Sequence, residues 1–375
     1  MKFLIITQRF HTNLYYRALS LQNAGHTVKV IALYKGQSEF HEHIDIKIIN
    51  ASIISRLLIK TFSGFKKSNL KSSFERRVLS PGKELKQIFK QYKPDVVILK
   101  AFQNISALKS LYLAKKFHTK VLMLTQSEYT HIKGSETLFR LNIKLFKFLK
   151  LFAYITPIKS NFEAFKNFGI KNVYYLPFVF PEQKHSFQIP RNKIKIISVG
   201  KYTKRKAQSA LVNAVYNLIK KGHNIELNFF GETSDKNYYR KLTETVRNLN
   251  AEHNIHFYEN IEYAEILKQY PNHHLYILPS YAEPAAYSIV EASAFGLPVI
   301  CSSENGTKCY VEDARNGYIF KAKDETDLEE KIETMITNLE ILLKFSENSL
   351  IFAKEHHNMH LFAEKILQII NTQNK

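Results

Sequence analysis

Pro279-Ser280-Tyr281-Ala282-Glu283-Pro284-Ala285-Ala286-Tyr287-Ser288-Ile289-Val290-Glu291-Ala292-Ser293-Ala294-Phe295-Gly296-Leu297-Pro298-Val299-Ile300 is the stretch whose reading decides the fold. An apolar strand over residues 275–278 runs into it, and Pro279-Ser280 ends that strand. A helix is expected from near Ala286 to Gly296, after which Leu297-Pro298-Val299-Ile300 opens another strand. Strand, turn, helix and strand in so short a span make one unit of a parallel sheet with a crossover helix. Glu283 then falls in the strand-to-helix turn, and Glu291 about a turn and a half into the helix. The free amides of Ala286, Tyr287 and Ser288 would point outward with the positive end of the helix dipole, an arrangement that suits a pyrophosphate. A carboxylate on the same helix, Glu291, can accept both hydroxyls of a ribose.

Upstream, an alternating strand over residues 194–199 leads into Ser198-Val199-Gly200-Lys201-Tyr202-Thr203-Lys204-Arg205-Lys206-Ala207. Cations crowded directly after a strand read as a solvated loop in isolation, but at the carboxyl end of a domain's first strand they overlook the cleft. A helix over 207–221 and Gly222-His223 follow, then a strand over 224–230. The first half has the same plan: a strand over 2–7, a helix over 13–24, Gly25-His26, and a strand over 27–33. One doubly wound unit is therefore used twice, with Gly ending the first helix each time. A helix over 83–93 and strands over 96–99, 120–125 and 172–176 extend the first half. Residues 177–190 lack periodicity and hold three prolines, so they read as a linker. The expected organisation is a first Rossmann-like domain over 1–180, a linker at 181–192, a second domain over 193–355, and a C-terminal helix over 356–375 packing back on the first domain. Two such domains face each other across a cleft lined by the carboxyl ends of both sheets.

The two glutamates with seven residues between them, followed by Glu-Ala-x-Ala-x-Gly-Leu-Pro-Val-Ile, resemble family 4 of the retaining glycosyltransferases, which has the GT-B fold. Glu-Pro-Ala-Ala-Tyr-Ser-Ile-Val-Glu is similar to members from bacterial surface-polysaccharide pathways. The likeness is strong over roughly residues 194–335 and weak before them. It implies that Glu283 sits against the donor sugar, that Glu291 holds the nucleoside ribose, and that the amides near Tyr287 and Ser288 meet the distal phosphate. The family carries Gly-Arg and then Lys-Gly at the cationic loop, both meeting the diphosphate. Here Gly200 is kept, Lys201 replaces the Arg, Lys206 matches the Lys, and Ala207 replaces the Gly. Lysine neutralises a phosphate but lacks the bidentate fork of arginine. The resemblance further implies transfer of a sugar from a UDP- or GDP-sugar to a glycan or lipid-linked acceptor with retention. In the family's proposed front-face substitution the departing diphosphate, stabilised by Lys201, Lys206 and the helix amides, helps deprotonate the incoming hydroxyl. An inverting transferase or a sugar-nucleotide epimerase would share the same cleft.

Gly306-Thr307 and Asn316-Gly317 read as turn framing, and His273-His274 as a structural pair with no third metal ligand near. No metal or other cofactor is expected, since no Asp-x-Asp follows any expected strand. The first half departs from the family: the loop after its first strand is Gln8-Arg9-Phe10-His11-Thr12-Asn13, with no glycine. After the strand over 120–125, where many members place a histidine near the reacting sugar, this chain has Thr125-Gln126-Ser127-Glu128. His11 and His131 are the candidate substitutes.

The net charge of +21 on 375 residues is one-sided. Residues 1–187 hold 31 Lys and Arg against 10 Asp and Glu, whereas residues 188–375 hold 23 of each. Such asymmetry points either to an anionic partner of the first half (nucleic acid, an anionic membrane or a phosphorylated acceptor) or to a generically basic proteome. Nucleic acid is set aside because no helix-turn-helix, zinc knuckle or RNA-binding aromatic motif occurs. Residues 52–78 carry seven cations against Glu75 alone, interleaved with Leu57, Leu58, Ile59, Phe62 and Phe65, and residues 138–152 place four cations on one face of an otherwise apolar helix. Both are interfacial patterns, although for residues 138–152 a core helix with one wet face has the same pattern. Two cysteines at unpaired spacing, no signal sequence and no apolar run of about 18 residues lead to the expectation of a cytoplasmic enzyme, peripheral on the inner face of the membrane.

Overall fold

The computed structural model describes residues 1–34, 43–63, 80–100, 105–126, 144, 147–149, 151–184 and 187–372, with the side chains of 59–63 excepted. The first sheet contains β1 (Lys2–Ile6), β2 (Thr27–Ala32), β3 (Ile46–Ile48), β4 (Val96–Lys100), β5 (Lys120–Leu124), β6 (Ala153–Thr156) and β7 (Val173–Tyr175), in the order β3-β2-β1-β4-β5-β6-β7. The second contains β8 (Ile194–Val199), β9 (Ile225–Gly231), β10 (Ile255–Glu259), β11 (Leu275–Leu278), β12 (Val299–Ser302) and β13 (Gly317–Phe320), in the order β10-β9-β8-β11-β12-β13. Neighbouring strands run parallel in both sheets. Strands covered on both faces need continuous apolar sequence, which explains Phe3-Leu4-Ile5-Ile6, Val96-Val97-Ile98-Leu99 and Leu275-Tyr276-Ile277-Leu278, all buried.

In each sheet the first strand is flanked by strands wound in opposite directions: β1 lies between β2 and β4, β8 between β9 and β11. These are the switch points at which doubly wound sheets open a crevice beyond their carboxyl ends. The matching helices, Thr12–Asn23 and Gln208–Lys220, end alike. Gly25 (φ +81°) and Gly222 (φ +96°) take the left-handed conformation, and the next amides, of His26 and His223, reach back to the carbonyls of Leu21 and Leu218.

The linker departs from expectation at its start. Phe178, Val179 and Phe180 are buried rather than solvated, because both domains close on them. The Phe178 amide donates to Tyr310 Oη at 3.2 Å, and the Phe180 amide to the His357 carbonyl at 2.7 Å. Tyr287 Oη donates to the Val179 carbonyl at 2.5 Å. Arg17, fully buried on the helix after β1, donates from Nη2 to the Leu176 carbonyl at 3.2 Å. Its guanidinium lies over the rings of Phe178 and Phe362, at 5.0 and 5.3 Å. Phe362 belongs to the C-terminal helix Met359–Thr372, which packs on Thr12–Asn23, where Ser20 Oγ donates to the Met359 carbonyl. One apolar core thus runs from Phe3 and Ile5 through Phe178 to Tyr276 and Leu278, and fixes the crevices against each other. Burial of a single phenylalanine there contributes about 2–3 kcal/mol.

Candidate active site

The crevice of the second sheet gathers charge in a definite order. β8 ends just before Gly200, where an added Cβ would lie 3.2 Å from Lys206 Cε and 3.3 Å from Cδ. The missing side chain lets the Lys206 stem lie over the backbone and carry its ammonium to Glu283, Nζ to Oε2 at 2.6 Å. Arg205 reaches the same oxygen through Nη1 at 2.6 Å. Glu283 is itself buried, and its backbone is pinned to the next turn, its amide donating to the Glu304 carbonyl and its carbonyl accepting from the Gly306 amide. Burial by itself raises the Glu283 pKa; the charges of Lys206 and Arg205 outweigh it and hold the carboxyl below its usual range. Arg205, visible in the sequence only as one cation of a run, joins the expected Lys206 here. Lys201 stands apart from this cluster, paired with Glu232 at the end of β9 at 2.7 Å.

The helix beyond Glu283 starts later than expected, at Ser288, with Tyr287 as its cap. Glu291 therefore sits in the first turn. The Ala286 amide does not face the cleft for a phosphate: it donates to Thr307 Oγ1 at 3.0 Å, and that hydroxyl is oriented by Asn305. Thr307, read from sequence as framing, is what removes Ala286 from the set of donors. Among the described residues the amides of Tyr287 and Ser288 have no acceptor.

Glu291 is the larger surprise. It is 4% exposed, and each carboxylate oxygen accepts a tyrosine hydroxyl at 2.7 Å: Oε1 from Tyr263, Oε2 from Tyr270. Burial raises its pKa, partly offset by those two hydrogen bonds. Tyr16, from the first domain's helix Thr12–Asn23, is hydrogen-bonded to Tyr263 and stacks on Tyr287 with centroids 6.2 Å apart. Nothing in the local spacing pairs a glutamate with tyrosines 28 and 21 residues upstream; only the sheet order brings them together.

Across the cleft, the first sheet's switch point is lined from β1, β4 and β5. Lys100 Nζ lies 3.4 Å from Asn13 Oδ1, and Asn13 Nδ2 donates to Gln126 Oε1 at 3.1 Å. His11 caps the first helix, and its pKa is depressed to about 3 by burial and by the charges of Lys100, Arg9 and Lys201. Lys201 belongs to the other domain, so His11 sits where the two crevices meet. His131 lies outside the described residues. His273 and His274 are buried in hydrogen bonds, His273 to the Gln269 carbonyl and Asn228, His274 to the Lys195 amide.

Residues 179–352 match the sequence model of the family Glycosyl transferases group 1. Protein CapJ of Staphylococcus aureus is 31% identical over 185 residues, 47% of this chain and 44% of that protein. The lipopolysaccharide glucosyltransferase WaaG of Escherichia coli is 26% identical over 209 residues, 52% of this chain and 54% of that protein. The matches thus span about half the length of these curated relatives. The crystal structure of HepE from Anabaena in complex with UDP superposes with a TM-score of 0.73 at 15% identity, covering 99% of this chain and 100% of that one. A sucrose-phosphate synthase structure from Thermosynechococcus elongatus gives 0.74 at 15% identity over 100% of this chain and 99% of that one. The sequence of residues 179–352 is thus similar to Glycosyl transferases group 1, and the whole chain has the GT-B fold of these solved structures.

Proposed function

We propose that the protein transfers a sugar from a UDP- or GDP-linked donor to a glycan or lipid-linked acceptor, with retention, in surface polysaccharide or glycoconjugate synthesis. The observation that carries this reading is the convergence of Lys206 and Arg205 on Glu283 beside the unpaired Tyr287 and Ser288 amides. A diphosphate placed at those amides would draw the two cations from Glu283, leaving its carboxylate to face the donor sugar. The cations and amides then stabilise the leaving diphosphate, preorganised and half dry, in the place a divalent ion would take. Activity is therefore expected to survive a chelator, and a strict requirement for Mg²⁺ or Mn²⁺ would count against this arrangement. Lys201, held by Glu232, would contribute at the rim. Native mass spectrometry against a panel of nucleotide-sugars, followed by NMR of the product anomer, tests the reading. Failure to hold any UDP- or GDP-sugar, or an inverted anomer, overturns it.

The same proposal places the enzyme peripherally on an anionic membrane through its basic first half. The described part of residues 52–78 is the helix Ile53–Ser63, which exposes Ile53, Ile54 and Leu57 at 68, 72 and 58%. Beside it, Lys109 bonds the carbonyls of Pro81 and Gly82, and its helix Ile105–Lys116 exposes Ile105, Leu108 and Tyr112. Apolar side chains with cations around them suit a headgroup interface, each cation there contributing about 1 kcal/mol. The remaining cations of that segment, and most of 138–152, lie outside the described residues. Among the described residues no helix is long and apolar enough to cross a membrane. Wild-type protein that ignores acidic liposomes at low salt would return the charge to other uses.

A further inference from the structure

Glu291 is covered on both of its oxygens, and the two covering groups differ in what holds them. We propose that Tyr263 is a positioning residue that keeps Glu291 until the diol of a nucleoside displaces it, and that Tyr16 of the first domain sets how firmly it is kept. This deepens the glycosyl-transfer reading above and rests on it for the assignment of a ribose to Glu291.

A diol can donate to so deeply buried a carboxylate only where one of the tyrosine hydroxyls gives way. Tyr270 is fully buried, its ring stacked on Phe295 with centroids 5.4 Å apart and planes within 7°. Moving it would open a cavity in the core. Tyr263 is only partly buried and opens the short helix Tyr263–Leu267, in which its neighbours Glu262, Ala264 and Glu265 are exposed. Tyr263 is therefore the group that leaves. What keeps it in place comes from the other domain. Its one proton goes to Glu291 Oε1, so in its hydrogen bond with Tyr16 the Tyr16 hydroxyl is the donor. Donation to the Tyr263 oxygen polarises its O–H and strengthens the bond to the carboxylate. Tyr16 is itself buried, stacked on Tyr287 at the cap of the donor-side helix and edge-on to Phe180 of the linker, with centroids 4.9 Å apart. Displacing Tyr263 from Glu291 thus also disturbs its bond to Tyr16. By linkage, whatever fixes Tyr16 in this place opposes the nucleotide, and the nucleotide loosens Tyr16 by the same free energy. Tyr16 lies on Thr12–Asn23, the helix that His11 caps at the first crevice. The relay Tyr16–Tyr263–Glu291 thereby connects occupancy of the second crevice to the wall of the first.

UDP, GDP and their dideoxyribose counterparts, which lack both ribose hydroxyls, are titrated calorimetrically into the full chain. The quantity read is the ratio of ribose to dideoxyribose affinity, because a change in Tyr263 that is merely structural moves both affinities together and cancels. Tyr263→Phe keeps the ring and removes the competing hydroxyl, so the ratio should rise about three- to tenfold, the worth of one net hydrogen bond. Tyr16→Phe keeps both ring contacts and should raise the ratio by less. In the double variant Tyr16→Phe should add nothing further, since it acts only through the Tyr263 hydroxyl. Thermal unfolding of each variant verifies the fold. A ratio that does not rise in folded Tyr263→Phe overturns the proposal, and a Tyr16→Phe effect that persists in the double variant overturns the relay. Wild-type protein that binds UDP or GDP while Tyr263→Phe leaves the ratio in place removes the Tyr263 assignment and keeps the transferase reading. If neither wild type nor any variant holds UDP or GDP, the transferase reading falls and the proposal with it, so the two failures are distinct.

Discussion

The two crevices share a topology and differ in how they handle charge. Both open where a doubly wound sheet reverses, and both follow the first strand with a loop and a helix closed by Gly-His. In the second crevice each reaching cation already meets a carboxylate: Lys206 and Arg205 at Glu283, Lys201 at Glu232. In the first, Arg9 and Lys100 act on His11, Lys100 also reaches the Asn13 side chain, and the charge of Arg9 extends to Glu232 of the other domain. A crevice with internal counter-ions stays folded when empty and can hand its cations to an anion without changing the net charge of the domain. One architecture has thus been given two electrostatic designs, and the difference should be visible in energetics.

The largest effect is expected at Lys206. Lys206→Ala leaves the buried Glu283 carboxylate with Arg205 alone, whose side chain is 46% exposed. Breaking a buried pair from one side costs about 3 kcal/mol at the lower end of its usual range, and diphosphate affinity should fall more than nucleoside affinity. Lys100→Ala, removing a half-buried cation bonded to Asn13, should cost under about 1 kcal/mol. Urea unfolding of both variants checks the contrast, and equal losses would break the comparison.

Acid should act next, and on the buried start of the linker as well as the first crevice. His357, fully buried against the Phe178 carbonyl, has a pKa lowered to about 4 by burial, and His11 one lowered to about 3. Both are neutral in the folded chain while the unfolded chain protonates near 6.5. Their stabilising contribution is complete above about pH 6.5 and lost as pH falls through the folded values. His357 alone would withdraw about 3 kcal/mol by pH 4. Glu283 is depressed as well, so its contribution is lost only below the ordinary glutamate range. Denaturation midpoints from pH 7 to pH 4 should fall for wild type and fall less for His11→Asn and His357→Gln; parallel curves would remove the assignment.

Glu291→Ala should weaken nucleotide affinity by about 1.5–3 kcal/mol if the carboxylate takes the ribose. Tyr263→Phe sharpens this, since it frees Oε1 and should leave affinity equal or better. A folded Glu291→Ala with unchanged affinity by calorimetry would make the residue a structural anchor for Tyr263 and Tyr270. The smallest effect is at the linker: Tyr287→Phe removes one hydrogen bond to Val179, about 1 kcal/mol of unfolding free energy.

The sequence alone determined the repeated unit, the positions of the elements it marked to within two or three residues, and the placement of Glu283 and Lys206. These follow from local causes: apolar periodicity, Gly at helix ends and Pro at strand ends act within a few residues of themselves. The late start of the helix at Ser288 was already beyond it, because Thr307, far along the chain, takes the Ala286 amide. So was the burial of Phe178-Val179-Phe180, whose aromatic character was visible but whose cover comes from Tyr310, His357 and Arg17. Only the tertiary structure decided that Arg205 rather than Lys201 joins Lys206, that two tyrosines close on Glu291, and that His11 stands between cations of both domains. Each of those depends on side chains from separate strands and helices converging at a sheet's carboxyl edge, and that convergence is set by the order of strands across the sheet, which no local pattern encodes.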